Sequence, residues 1–121
     1  MILDFLSDFN EETSPYGRHR KYGETLVKYR IIEPDTFRVQ NIISFDPCSF
    51  NAFGKMLCRL ADKHGITISG KATPTMVGPS ITKTNKIYLG LDQNRLLKLY
   101  KKFGFDIQED SNGYQVIRSP R

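Results

Sequence analysis

The order of patterns along the chain predicts an α/β (α+β) domain: a mixed, mostly antiparallel sheet with one parallel strand pair and flanking helices. Three observations carry this. A β-rich run at 25–32 is followed, across Pro34-Asp35, by a second at 37–45, which reads as an antiparallel hairpin. An apolar stripe at helical spacing over 51–64 separates that second strand from a further β-rich run at 66–73, so the two strands must be parallel. Near the end, Asp110-Ser111-Asn112-Gly113 joins two short strands, with Asn-Gly the strongest short hairpin signal in the chain.

The elements follow in order. Residues 1–9 alternate apolar and acidic and suit one or two helical turns, and 10–23, with Pro15, Gly17 and Gly23, read as loop. In the helix over 51–64 the stripe is Phe53, Met56, Leu57, Leu60, Ala61 and His64. Gly65 is placed to stop it, and Lys63 and His64 suit its negative end. Residues 74–91, which contain Pro74, Gly78, Pro79 and Gly90, read as a long loop with a strand fragment at 87–89. A last helix starts at Asp92 as N-cap, buries Leu96, Leu99, Tyr100 and Phe103, and stops at Gly104. Residues 105–108 and 114–118 form the closing hairpin.

Composition bounds the function. A chain of 121 residues, 39% hydrophobic, is one domain able to bury a core without staples. Cys48 and Cys58 lack metal-type spacing and a disulfide framework, and His19 and His64 are the only histidines, which disfavours a zinc site or a histidine triad. Reduced thiols, an opening without a basic n-region and no membrane-length apolar run lead to the expectation of a soluble, cytoplasmic protein with no membrane partner. A net charge of +5 favours anionic partners without choosing among them. The basic cluster Arg18-His19-Arg20-Lys21 between Tyr16 and Tyr22 reads either as a solvated loop or as a small nucleic-acid-binding feature.

The segment Leu96-x-x-Leu99-Tyr100-x-Lys102-x-Gly104-Phe105, with the strand–helix–strand unit before it and the hairpin after it, resembles the GNAT superfamily of N-acetyltransferases over residues 24–118, in a compact form like small phage and bacterial members. The resemblance implies a GNAT-like acyl-CoA N-acyltransferase fold with a splayed parallel pair, and direct acetyl transfer from acetyl-CoA to an amine. It implies backbone contacts from Ile43, Ser44 and Phe45 to the thioester arm, and a pyrophosphate turn at Ala52, Phe53, Gly54 and Lys55. Ala52 stands in that turn for a family glycine, and Ser49 for the family's Arg or Gln. It implies for Tyr100 a role in assisting thiolate departure, a task a phenol beside the sulfur can perform. No general base is assigned: Glu24, Glu33, Asp46 and His64 are candidates, with Glu33 and Asp46 flanking the strand, and deprotonation through water fits equally. The short N-terminal part implies an open acceptor side, suited to a large acceptor such as a protein amine or to closure by a second copy in a homodimer. The alternatives are a catalytically inactive binding or inhibitor protein on the same fold, and a small nucleic-acid-binding module.

Overall fold

A computed structural model describes residues 2–72, 80–81, 87–88, 93–111 and 113–121. The chain runs α1 (Ile2–Glu12), β1 (Ser14–Tyr16), β2 (His19–Tyr22), β3 (Thr25–Ile32), β4 (Thr36–Ser44), α2 (Pro47–His64), β5 (Thr67–Lys71), β6 (Ser80–Ile81), β7 (Ile87–Tyr88), α3 (Gln93–Lys102), β8 (Asp106–Asp110) and β9 (Gly113–Arg118). Seven strands form one sheet in the order β1-β2-β3-β4-β5-β9-β8, and β6 pairs with β7 separately. Within the large sheet β4–β5 is parallel and every other pair antiparallel. The expected mixed, mostly antiparallel sheet with one parallel pair is therefore present, and the expected hairpins and βαβ unit lie where the patterns put them.

Two boundaries need correction. Residues 10–23, read as loop, complete α1 and then form the β1–β2 hairpin around Gly17, whose φ of 60° suits a tight turn. Pro15 misled the reading, yet β1 is an edge strand, where a missing N–H is tolerated. Arg20 closes the C-terminus of α1, donating to Asn10 O at 3.0 Å and Thr13 O at 2.8 Å. A cation beside otherwise orphaned carbonyls offsets the lack of a basic residue in the last turn of α1. The second correction concerns α2, which starts at Pro47 rather than near Asn51. Asp46-Pro47, a pair that can also end a strand, is here an N-cap followed by proline at the first helical position. The C-terminal end of α2 is as expected: Gly65 is left-handed (φ 69°) and donates to Ala61 O.

Strand alternation and burial put all three helices on one face of the sheet. Phe5 and Phe9 of α1 pack on Phe37 of β4, with ring centroids 5.5 and 5.3 Å away, and Tyr29 of β3 stacks on Phe37 at 4.6 Å. Phe53 of α2 meets Phe9 and Tyr22. Such pairs add about 0.5–1.5 kcal/mol each beyond their apolar burial. At the other end of the sheet Arg118 is buried. Its guanidinium donates to both Asp62 oxygens at 2.8 and 2.9 Å and to Phe103 O at 2.7 Å, tying β9 to the ends of α2 and α3. The opposite face of the sheet carries none of these helices. No helix among the described residues is long and apolar enough to cross a membrane.

Candidate functional site: a parted strand pair over an apolar cleft

The parallel pair does not run the length of β4. Thr36–Val39 pairs with Thr67–Gly70, and beyond Val39 the strands part. β5 stays with β9, where Lys71 opposes Gln115 and Ala72 N–H donates to Tyr114 O at 2.9 Å. The parting begins at a bulge. Lys28 opposes Asn41 while Tyr29 opposes Val39, which leaves Gln40 as the extra residue on β4. A bulge bends its strand and raises the local twist, which is what pulls β4 from a neighbour that lacks one.

The bulge also changes which backbone groups face the opening. Phe45 N–H donates to Glu24 O at 2.9 Å, so the Glu24–Phe45 pair is hydrogen-bonded, and by antiparallel alternation Ile43 and Asn41 also turn their backbone groups toward β3. The backbone groups of Ser44 and Ile42 then point toward the opening, where no described strand pairs with them. Of Ile43, Ser44 and Phe45, only Ser44 presents its backbone there. Ile43 and Phe45 are committed to β3. The sequence reading missed Ile42, because a bulge that shifts backbone parity by one residue leaves no clear mark in an apolar strand.

Beneath the parting lies a narrow, predominantly apolar cleft, walled by Val39 and Ile42 of β4, Gly70 of β5, Phe53 and Cys58 of α2 and Tyr100 of α3. Tyr100 is buried and sits edge-on to Phe105 at 5.0 Å. Burial pushes its phenol up to about 12, so it stays a neutral hydroxyl at ordinary pH, able to donate a hydrogen bond but not to act as a base. The Cys58 thiol is likewise raised, by burial first and by the nearby Asp62 charge against the opposing pull of Arg118, which keeps it protonated and unreactive. Gly70 stands where a Cβ would come within 3.3 Å of Val39 O.

The mouth of the cleft is where the sequence reading places a phosphate turn. The longer helix moves Ala52, Phe53, Gly54 and Lys55 into the interior of α2, away from its N-terminus. The terminus itself is closed to an anion. Pro47 has no N–H, Cys48 and Ser49 N–H donate to Asp46 Oδ1 at 2.7 and 3.3 Å, Phe50 N–H bonds Asp46 O at 3.1 Å, and Asp46 N–H reaches Ser44 Oγ at 3.4 Å. A buried carboxylate thus stands where a phosphate would have to dock. Phe53 is core. Gly54 lets α2 approach the end of α3, since a Cβ there would lie 2.4 Å from the Phe103 ring. Ala52 and Lys55 are exposed, and only Lys55 carries charge. The Ser49 hydroxyl latches the β2–β3 turn to α2, accepting from Glu24 N–H at 2.8 Å, donating to Tyr22 O at 3.1 Å and lying 3.0 Å from Thr25 Oγ1.

The four base candidates separate by position. Asp46 is spent on capping. His64 binds Asp8 at 2.7 Å at the far end of α2. Glu33 lies in the β3–β4 turn, at the paired end of β4. Glu24 is the only other one at the parted end, in the exposed β2–β3 turn. Asp92, the expected N-cap of the last helix, lies outside the described residues, as does most of 74–91, including Lys83 and Lys86, two cations able to face an acidic substrate or phosphate. Among the described residues no group of His, Cys, Asp or Glu could hold a metal ion. Comparisons with family models, curated proteins and solved structures give no match.

Proposed function

We propose that the chain is a GNAT-like N-acetyltransferase moving an acetyl group from acetyl-CoA directly to an amine, on a protein or other large acceptor. One observation supports the reading: β4 leaves its parallel partner at a bulge, above an apolar cleft lined in part by Tyr100. An extended arm of amide and methylene groups suits such a gap. The backbone groups of Ile42 and Ser44, which no described strand pairs, would bind its amides, and the apolar walls its chain. Tyr100 would donate to the sulfur as the amine displaces it from the acetyl carbon. A phenol at about 12 is a weaker acid than an alkyl thiol, so its contribution is a hydrogen bond to the departing thiolate rather than full protonation. The diphosphate does not fit the N-terminus of α2, whose donors Asp46 already holds.

That same closed terminus favours a second reading, a binding protein that keeps the acetyltransferase-like fold without the reaction. Thermal unfolding with acetyl-CoA separates the two. A ligand at a hundred times its dissociation constant adds about 2.7 kcal/mol. No rise in melting temperature at millimolar acetyl-CoA would overturn the enzyme reading. If the shift is seen, Tyr100→Phe should lower turnover about 100-fold while leaving the shift in place.

A further inference from the structure

The helix-free face of the sheet is not a neutral surface. Strand alternation assigns it residue by residue. Tyr29, Phe37, Ile68 and Val116 face the helices, so their neighbours Lys28, Arg30, Arg38, Ser69 and Ile117 face the other way. The register sets Arg30 beside Arg38, Arg38 beside Ser69 and Ser69 beside Ile117. Lys21 of β2, opposite Leu26, joins the same face, and Lys71 of β5 continues it past Ser69. Five cations, Lys21, Lys28, Arg30, Arg38 and Lys71, therefore share one face across β2 to β5. None is held in an ion pair by a described acid. The acids nearest this face stand at its rims, with Glu24 in the β2–β3 turn, Glu33 and Asp35 in the β3–β4 turn and Asp106 and Asp110 on the edge strand β8.

Placing Arg30 directly opposite Arg38 costs repulsion in the free protein, and an anion between them removes it. The same charge excludes a second copy as occupant, since two such faces would repel. At the β1 edge the cations meet an exposed aromatic ring. Tyr16 is 56% exposed, Lys21 Nζ lies 5.8 Å from its ring centroid, and the two line a shallow hollow with Leu26, Phe45 and Glu24. This corrects the sequence reading of Arg18–Lys21 as one cluster. Alternation sends Arg20 to α1 and Tyr22 to the core, and leaves Lys21 and Tyr16 on the open face.

We infer that this face binds single-stranded nucleic acid, its phosphates following the cations across β2–β5 and a base stacking on Tyr16. A shallow sheet face without a protruding helix has nothing to enter a duplex groove, whereas cations beside a ring suit a flexible strand whose bases are free to stack. The inference is independent of acetyl transfer, which uses the opposite face.

The test is fluorescence anisotropy of a labelled short oligothymidylate with the full chain. Neutralising four or five phosphates predicts that affinity falls about 50- to 130-fold between about 50 mM and about 200 mM salt. The triple variant Lys28→Gln, Arg30→Gln, Arg38→Gln, with its melting temperature checked, should weaken binding and cut that salt effect to below about tenfold. Tyr16→Ala should cost several-fold. The helix-side variant Arg59→Gln, Lys98→Gln should leave affinity within about twofold. Absence of binding at low salt would overturn the inference, as would a triple variant that binds like the parent or duplex DNA bound as tightly as the single strand. Displacement of the oligonucleotide by polyglutamate at equal charge concentration would assign the face to an acidic protein instead.

Discussion

Gly54→Ala separates a phosphate-binding glycine from a packing one. Two opposed effects set its magnitude. Alanine in a helix interior is worth about 1 kcal/mol over glycine. Against this, the new methyl would lie 2.4 Å from Cε2 and Cζ of Phe103, far inside contact distance, so the ring or the helix must move. Overpacking of that kind costs about 1–3 kcal/mol, and the half-buried ring leaves the cleft wall as it yields. The net expectation is a destabilisation of about 0–2 kcal/mol. In a Phe103→Ala background the obstruction is gone and the same change should stabilise by about 1 kcal/mol. Urea unfolding of the four proteins gives the coupling energy directly, expected at about 1–3 kcal/mol. Equal stabilisation of about 1 kcal/mol in both backgrounds would refute the packing argument. If acetyl-CoA binds, a loss of its affinity on Gly54→Ala that persists in the Phe103→Ala background would restore Gly54 to the phosphate turn.

Two further outcomes concern ionisation. Arg118 holds the Asp62 carboxyl below the usual carboxylate range, chiefly by hydrogen bonds, with the Arg121 N–H adding to it. A depressed folded pKa means this stabilisation is complete above about pH 4 and is lost as pH falls through the folded value. Asp62→Asn should therefore cost about 2–4 kcal/mol near neutral pH, by leaving a buried guanidinium unmatched, and should flatten the acid limb of a stability–pH curve. A limb of unchanged slope would show that the pair is not what acid breaks. Tyr100 has the opposite sign. Its raised folded pKa leaves stability intact below about pH 10 and erodes it as pH rises toward about 12, because the unfolded phenol ionises first. Ultraviolet titration of the six tyrosines should show one ionising last, missing in Tyr100→Phe.

Much of the fold is legible in residue order. The hairpin signals, the stripe from Phe53 to Ala61 and the stop at Gly65 are local physics, and the structure keeps them. The errors cluster where one residue type has two uses. Asp46-Pro47 breaks a strand but also caps a helix, and the second use moved the start of α2 and with it the meaning of Ala52 to Lys55. Pro15 and Gly17 read as loop, yet an edge strand and a tight turn accommodate both. The parity of β4 was illegible because Gln40 is bulged only relative to Lys28, a partner it meets after folding.

The sequence by itself determined the element order from β3 to β5 and from α3 to β9, the parallel pair with its intervening helix, the basic charge and a tyrosine in a helix that stops at glycine. These depend on neighbours within a few residues, whose spacing acts before any tertiary contact forms. Only the tertiary structure decided what those residues meet. It parted β4 from β5 over the cleft holding Tyr100, closed the N-terminus of α2 with Asp46, and set Gly54 against Phe103. It also gathered cations from four strands onto the face that carries none of the described helices. Apart from the Asp46 cap, which is local but competes with a strand-ending reading of the same residues, each of these is a relation between segments far apart in the chain, fixed by register and packing.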